Sequence, residues 1–172
     1  MGKLRAIPAR FRDCTFETYV PVNSRQRDAK QQMESDRLRS FFLFGNYAQG
    51  KTHLAFGQYR TLIQTEEPAM FYTMAELLAE LRKGELDSDY LSIVVDRVRY
   101  AERFHLFIDD IDKFKVTDFK FEVLFDLIDT IYKRKLGLTI TSNFGLRGLV
   151  ESERLHPSIV RRIDDTCTAL EV

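Results

Sequence analysis

Residues Gly45–Thr52, GNYAQGKT, carry the spacing G-x-x-x-x-G-K-[ST]. Glycine at both ends of such a run lets the main chain curl until successive N–H groups face one point, where they can hold phosphate oxygens. On this pattern Gly45, Asn46, Tyr47, Ala48, Gln49 and Gly50 form the cradle, and Lys51 reaches the β- and γ-phosphates. The Thr52 hydroxyl ligates Mg²⁺, and His53 closes the run at the start of a helix. A second chemical feature ends the apolar run Phe104–Asp110, FHLFIDD, on two carboxylates. Asp109 is placed to hold Mg²⁺, directly or through water, and Asp110 to polarise an attacking water. A third is Asn143, just after Leu138–Ser142, where an amide could hold that water or a γ-phosphate oxygen; asparagine is also common in tight turns on its own account. Together these residue types suit binding and cleavage of a nucleoside triphosphate.

Such groups work only if elements bring them to one edge. Phe41–Phe44 reads as a buried strand entering the phosphate loop, and a helix should leave it and run to about Gln64, where Glu66-Glu67-Pro68 stops it. Ala69–Tyr72 reads as a second strand, with Thr73 capping a helix whose stripe is Met74, Leu77, Leu78 and Leu81 and whose end is Gly84. Leu91, Val94, Val95 and Val98 repeat that spacing, so a second helix follows directly. The strand ending at Asp109-Asp110 comes next. Asp118 then caps a helix with core face Phe121, Leu124, Phe125, Ile128, Ile131 and Tyr132, closing on Lys133-Arg134-Lys135 as the helix dipole favours. Leu138–Thr141 is a further strand, Pro157 suits a first helical turn, and Thr166–Val172 reads as a last strand. In an open parallel sheet the carboxyl ends of the strands form the ligand edge, which puts Lys51, Asp109, Asp110 and Asn143 together.

Upstream, residues 1–22 show no sustained period, and Thr15–Val20 suggests one extended piece. Its aromatics, Phe11, Phe16 and Tyr19, either pack on the edge of the core or lie near a nucleotide base. Asn23 or Ser24 can cap a helix to about Arg39, dense in charges of both signs and read as solvated. The expected organisation is an N-terminal extended segment, 1–22, followed by a nucleotide-binding domain, 23–172.

Composition bounds the rest. The chain has 172 residues, 44% hydrophobic and 30% charged, the profile of a single globular domain. Lys+Arg and Asp+Glu are 26 each, so nucleic acid is not attracted by overall charge. DNA contact would need local patches such as Lys113, Lys115, Lys120 or the helices of 74–99. Cys14 and Cys167 lie far apart and the chain has 3 His, which argues against a zinc site. No stretch approaches about 20 apolar residues, the length of a membrane helix. Without a secretory leader, a reducing cytoplasmic setting is the default expectation.

The set resembles the AAA+ ATPases, and within them the helicase-loader branch, the DnaC/DnaI and IstB-like group. FRDCTFETYV (11–20), LFGNYAQGKTHLA (43–55), LFIDDID (106–112), TITSNF (139–144) and SIVRRI (158–163) carry the resemblance. It implies a three-layer α/β fold with a five-stranded parallel sheet in the order 5-1-4-3-2; the absence of a lid domain is an expectation for this chain and a departure from the family. It implies ATP and Mg²⁺ at Lys51, Thr52 and the Walker B pair Asp109 and Asp110, with Asn143 as the sensor. Arg162, or as second choice Arg161, is the arginine finger acting on a neighbouring subunit's ATP. Implied partners are a replicative helicase or, for an IstB-like helper, a transposase, with single-stranded DNA and self-assembly into an open ring or spiral. The chain departs from the pattern in Asn46, Tyr47 and Ala48, where small or Gly-rich residues are common and where Tyr47 could restrict nucleotide access or pack over it, in Asp110 where many relatives carry Glu, and in an expected lack of room for a separate partner-binding part. A shorter carboxylate arm implies slow hydrolysis. Other classes remain open: a small-molecule kinase on the same nucleotide fold, or an adaptor that uses ATP only as assembly glue.

Overall fold

The computed structural model describes residues 9–86, 92–113 and 118–172. Five strands, β1 (Phe41–Phe44), β2 (Ala69–Thr73), β3 (His105–Asp109), β4 (Gly137–Ser142) and β5 (Thr168–Glu171), form one parallel sheet in the order β2-β3-β4-β1-β5. Read from the other edge this is 5-1-4-3-2, the expected topology. The α-helices among the described residues are α1 (Ser24–Ser35), α2 (Lys51–Gln64), α3 (Met74–Leu86), α4 (Ile93–Tyr100), α5 (Asp118–Arg134), α6 (Leu146–Glu151) and α7 (Pro157–Thr166).

Strands buried on both faces have near-continuous apolar sequences, and alternate residues of FFLF serve two separate cores. Phe41 and Leu43 join Phe71, Phe107, Leu54, Phe56, Tyr59 and Leu62 on the α1/α2 face. Phe42 joins Leu106, Ile108, Leu138 and Ile140 under α3, α4, α5 and α7. On the first face stacked rings cross the sheet: Phe11 on Phe56 at 4.4 Å, Phe56 on Phe71 at 3.9 Å, Phe71 on Phe107 at 5.6 Å.

Local chemistry explains most boundaries. Asn23 Oδ1 accepts from Gln26 N–H and starts α1. Thr73 and Glu76 exchange bonds as a capping box at the start of α3. Pro157 occupies the first turn of α7. Four expectations need correction. Helix α1 stops at Ser35 rather than near Arg39, and it is not wholly solvated: Gln26, Ala29 and Met33 are buried. Gly84 lies inside α3, which continues to Leu86. Thr15–Val20 is not extended; Thr15 and Thr18 side chains bond each other's main-chain N–H groups and curl it into turns. Those turns bury Phe16 and Tyr19 in the core of the α1/α2 face. Ile7, Pro8, Leu91 and Lys115 lie outside the described residues, as does the side chain of Lys120. No described helix is long and apolar enough to cross a membrane.

Candidate functional site: a phosphate loop at the carboxyl edge of the sheet

Strand β1 ends at Phe44, and the loop turns at once. Gly45 has φ 148°, and a Cβ there would lie 2.2 Å from Val172 O, so only glycine fits. Gly50 has φ 86°, and its Cβ would meet the Tyr19 ring at 2.6 Å. Tyr19 closes the underside of the loop and donates its hydroxyl to Gln49 O at 3.3 Å; burial raises its pKa to about 12. Ala48 takes a left-handed φ of 62°, a conformation that costs a non-glycine residue about 1–2 kcal/mol. The first main-chain bond of α2 runs from Leu54 N–H to Gly50 O. The amides of Lys51, Thr52 and His53 therefore lie free of the helix ladder at its positive end, where an anion is favoured.

Lys51 is 5% exposed. Its three ammonium hydrogens meet three oxygens: Gly45 O at 2.9 Å, Asn46 O at 2.7 Å and Asn143 Oδ1 at 3.1 Å. Burial lowers its pKa, against the opposing fields of Asp110, Asp112 and Asp109. Thr52 Oγ1 donates to Asp109 Oδ1 at 2.8 Å, and Thr141 Oγ1 donates to the same oxygen at 2.6 Å. Burial pushes the Asp109 carboxyl up, and the two hydroxyl bonds pull against it. A nearly buried carboxylate beside a threonine hydroxyl, next to an anion cradle, has the oxygen chemistry that a hard divalent cation requires. The residues present therefore fit a magnesium nucleotide.

Asp110 follows with φ 57°. Its main-chain N–H donates to Thr141 Oγ1 at 2.8 Å, and its carboxylate pairs with Lys113. Lys113, a candidate DNA contact from sequence, is thus engaged at the site.

The fold brings Lys51, Thr52, Asp109, Asp110 and Asn143 to one edge, as the strand ends require. His53 joins them through its main chain only: its ring lies against Thr15 O at 2.9 Å and Thr18 Oγ1 at 3.1 Å. Tyr47 is 82% exposed. Arg162 is held elsewhere on its own chain. Its Nε donates to Asp129 Oδ1 at 2.7 Å, and its guanidinium lies over the Tyr132 ring at 4.8 Å. Arg161 is the freer of the two, its side chain 78% exposed. Sequence reasoning missed Thr141, the bridge between Asp109 and Asp110. The available signal was a threonine among apolar residues on the strand beside the acidic pair.

A family model for AFG1-like ATPases matches residues 11–172. The phage-like element PBSX protein XkdC of Bacillus subtilis (strain 168) is 26% identical over 173 residues, covering 97% of this chain. The chain spans 59% of the length of that curated relative. Among solved structures, the DnaC helicase loader is similar with a TM-score of 0.82 and 20% identity, over 95% of this chain and 99% of that one. AMPPCP-bound DnaA from Aquifex aeolicus is similar with a TM-score of 0.76 and 14% identity, over 92% of this chain and 49% of that one. At such identities the structural likenesses establish the fold. The family model covers nearly all of the sequence, with the phosphate loop and acidic pair inside it: the chain belongs to the AFG1-like ATPase family, built on the AAA+ P-loop fold.

Proposed function

We propose that the chain binds ATP with Mg²⁺, hydrolyses it slowly, and uses the nucleotide to control assembly with a replicative helicase. The observation that carries the chemical part is the Thr52–Asp109 contact at 2.8 Å beside the buried Lys51, which joins the phosphate loop to the acidic strand end. Helix-start amides and Lys51 would hold the phosphates. Thr52 and Asp109 would hold the cation, which neutralises charge on the β- and γ-phosphate oxygens when bound. Asp110 would orient the attacking water, and Asn143 would complete the γ-phosphate side. Positioning and electrostatics supply most of the catalysis in such sites.

The finger remains part of this reading. Arg162 would have to leave Asp129 to reach ATP on a neighbouring subunit; Arg161 would have only a longer, exposed pair with Asp165, at 4.0 Å, to leave. A finger in trans typically contributes about 10³–10⁵ in rate, so a lone subunit should turn over poorly. The loader role is supported by the likeness to DnaC and by the match over nearly all of that chain. Single-stranded DNA is a weaker partner, since net charge is zero. The expected setting is cytoplasmic.

Light scattering with ADP and with a non-hydrolysable ATP analogue, paired with an ATPase assay, tests the core of this. The expected result is growth to a ring or spiral with the triphosphate only, and slow hydrolysis that rises with protein concentration. No nucleotide binding would overturn the reading. Binding and assembly without turnover would favour the adaptor. Pull-downs against a replicative helicase and a transposase separate the loader from an IstB-like helper.

A further inference from the structure

Asp112 has no part in the chemistry assigned so far. It lies in the tight turn Ile111–Lys113 after β3 and is 4% exposed. A carboxylate so buried needs donors, and one residue supplies two. Asn143 main-chain N–H donates to Asp112 Oδ1 at 2.9 Å, and Asn143 Nδ2 donates to Oδ2 at 3.1 Å. Two bonds from one residue to one carboxylate fix both its main chain and its side-chain torsion.

They also fix which way the amide faces. An ionised carboxylate only accepts, so NH₂ must face Asp112; an ammonium only donates, so the Asn143 oxygen must face Lys51. The turn is braced from behind. Arg154 Nη1 donates to Asp112 O, and its guanidinium lies over the Phe144 ring at 4.8 Å. Ser142 Oγ accepts from Phe144 N–H at 3.0 Å, which shapes the chain on either side of Asn143.

We propose that Asp112 is a positioning residue: by clamping Asn143 it aims the amide oxygen at Lys51, so that Asn143 serves the triphosphate through the lysine and not by its own N–H. Two of the three ammonium acceptors, Gly45 O and Asn46 O, belong to the loop that precedes Lys51. Asn143 is the acceptor on a different strand end, and it sets the lysine's direction relative to β4. Turning Nδ2 toward a phosphate would strip a buried carboxylate oxygen of its donor, an expensive exchange. This inference rests on the ATP-binding reading above.

Affinities for fluorescent ATP and ADP analogues separate the possibilities. Asp112→Asn keeps the shape but can accept only one of the two Asn143 bonds. Relative to the wild type, its ATP-to-ADP affinity ratio should fall about tenfold, a 1.4 kcal/mol effect, as should that of Asn143→Ala. The exchanged pair, Asp112→Asn with Asn143→Asp, restores a donor–acceptor clamp and keeps an oxygen for Lys51, while removing the amide donor at 143. It should recover the ratio to within about threefold of the wild type, since coupled residues deviate strongly from additivity. An exchanged pair as impaired as Asn143→Ala overturns the proposal, because the amide N–H would then be what matters. So does a folded Asp112→Asn whose ratio stays within about twofold of the wild type, a change too small for a lost clamp. If Asp112→Asn fails to fold, the exchanged pair decides alone. Wild-type protein that binds neither nucleotide sinks the ATP reading and this inference with it; wild-type binding with an unmoved ratio sinks only the role of Asp112.

Discussion

Thr139 and Thr141 lie on one face of β4, and each hydroxyl is the hub of a buried polar chain reached by α2. The lower chain is closed and neutral. Gln58 Nε2 donates to Arg37 O at 2.8 Å and Arg39 O at 2.9 Å, and its Oε1 accepts from Thr139 at 2.8 Å. That commits the Thr139 proton, so its oxygen accepts from His105 Nε2–H at 2.9 Å. The upper chain holds charges: Lys51, Asp109 and Asp110, with Ala48 and Asp110 in left-handed main chain. The same helix and strands thus carry one network of neutral groups bonded to one another and one that holds charges and left-handed main chain. Backbone strain and buried charge persist where function requires them. The comparison predicts that lower-chain variants lose stability without losing chemistry, and upper-chain variants the reverse.

The largest effect should come from Lys51→Ala. Turnover should fall by about 10²–10³, the size seen when a preorganised stabilising group is removed. The melting temperature should move by no more than about 2–4 °C, equivalent to about 1 kcal/mol for a chain of this size. Removing a buried cation relieves its desolvation and offsets the lost bonds. A steady-state ATPase assay beside a thermal melt checks both halves.

Gln58→Ala is the mirror test. It strands two carbonyls and a threonine hydroxyl, and should cost about 2–3 kcal/mol, read as a drop in melting temperature of about 5–10 °C. KM for ATP should not change. A raised KM would mean that the two chains communicate through α2.

A pH titration of stability sharpens the contrast further. Burial lowers the His105 pKa from 6.5 to about 3. Between those values the unfolded chain binds a proton that the folded chain refuses, so stability rises with pH across that window. The contribution is fully present above about pH 6.5 and is lost at about 1.4 kcal/mol per pH unit as pH falls toward 3. Denaturant melts of wild type and His105→Gln at several pH values isolate it. The difference between the two should shrink as pH drops, and parallel curves would show that His105 titrates normally.

How much of this was legible in the sequence follows from distance along the chain. The phosphate loop is one contiguous run, and the acidic pair closes one strand, so local spacing revealed both. Thr141 and Asp112 are hard to single out because their partners lie 32 and 31 residues away, and a threonine among apolar strand residues, the one local signal for Thr141, looks like ordinary β propensity. The Gln58–Thr139 bond spans 81 residues; nothing local distinguishes Gln58 from a surface glutamine. The burial of helix α1 escapes periodicity for a related reason. Its buried stripe contains Gln26, which is paid for by bonds to Gln49 O at 3.2 Å and Gln49 Oε1 at 3.0 Å. Hydrophobic periodicity cannot register a polar residue buried by a partner in the loop.

The smallest expected effect concerns Lys113, and it tests what the ion pair with Asp110 does. Lys113 is 56% exposed and pairs with Asp110, so the pair should stabilise the fold by less than about 1 kcal/mol. The Asp110 main chain stays fixed by φ 57° and the bond to Thr141, whatever happens to the lysine. Lys113→Ala should therefore free only the carboxylate, leaving the melting temperature unchanged. An interaction of up to about 1 kcal/mol biases the side chain at most about fivefold, so turnover should rise by about two- to fivefold if the pair restrains Asp110 from the water. A fall in turnover would instead make Lys113 a phosphate ligand, and the ion pair to Asp110 would then be how that lysine is held in place.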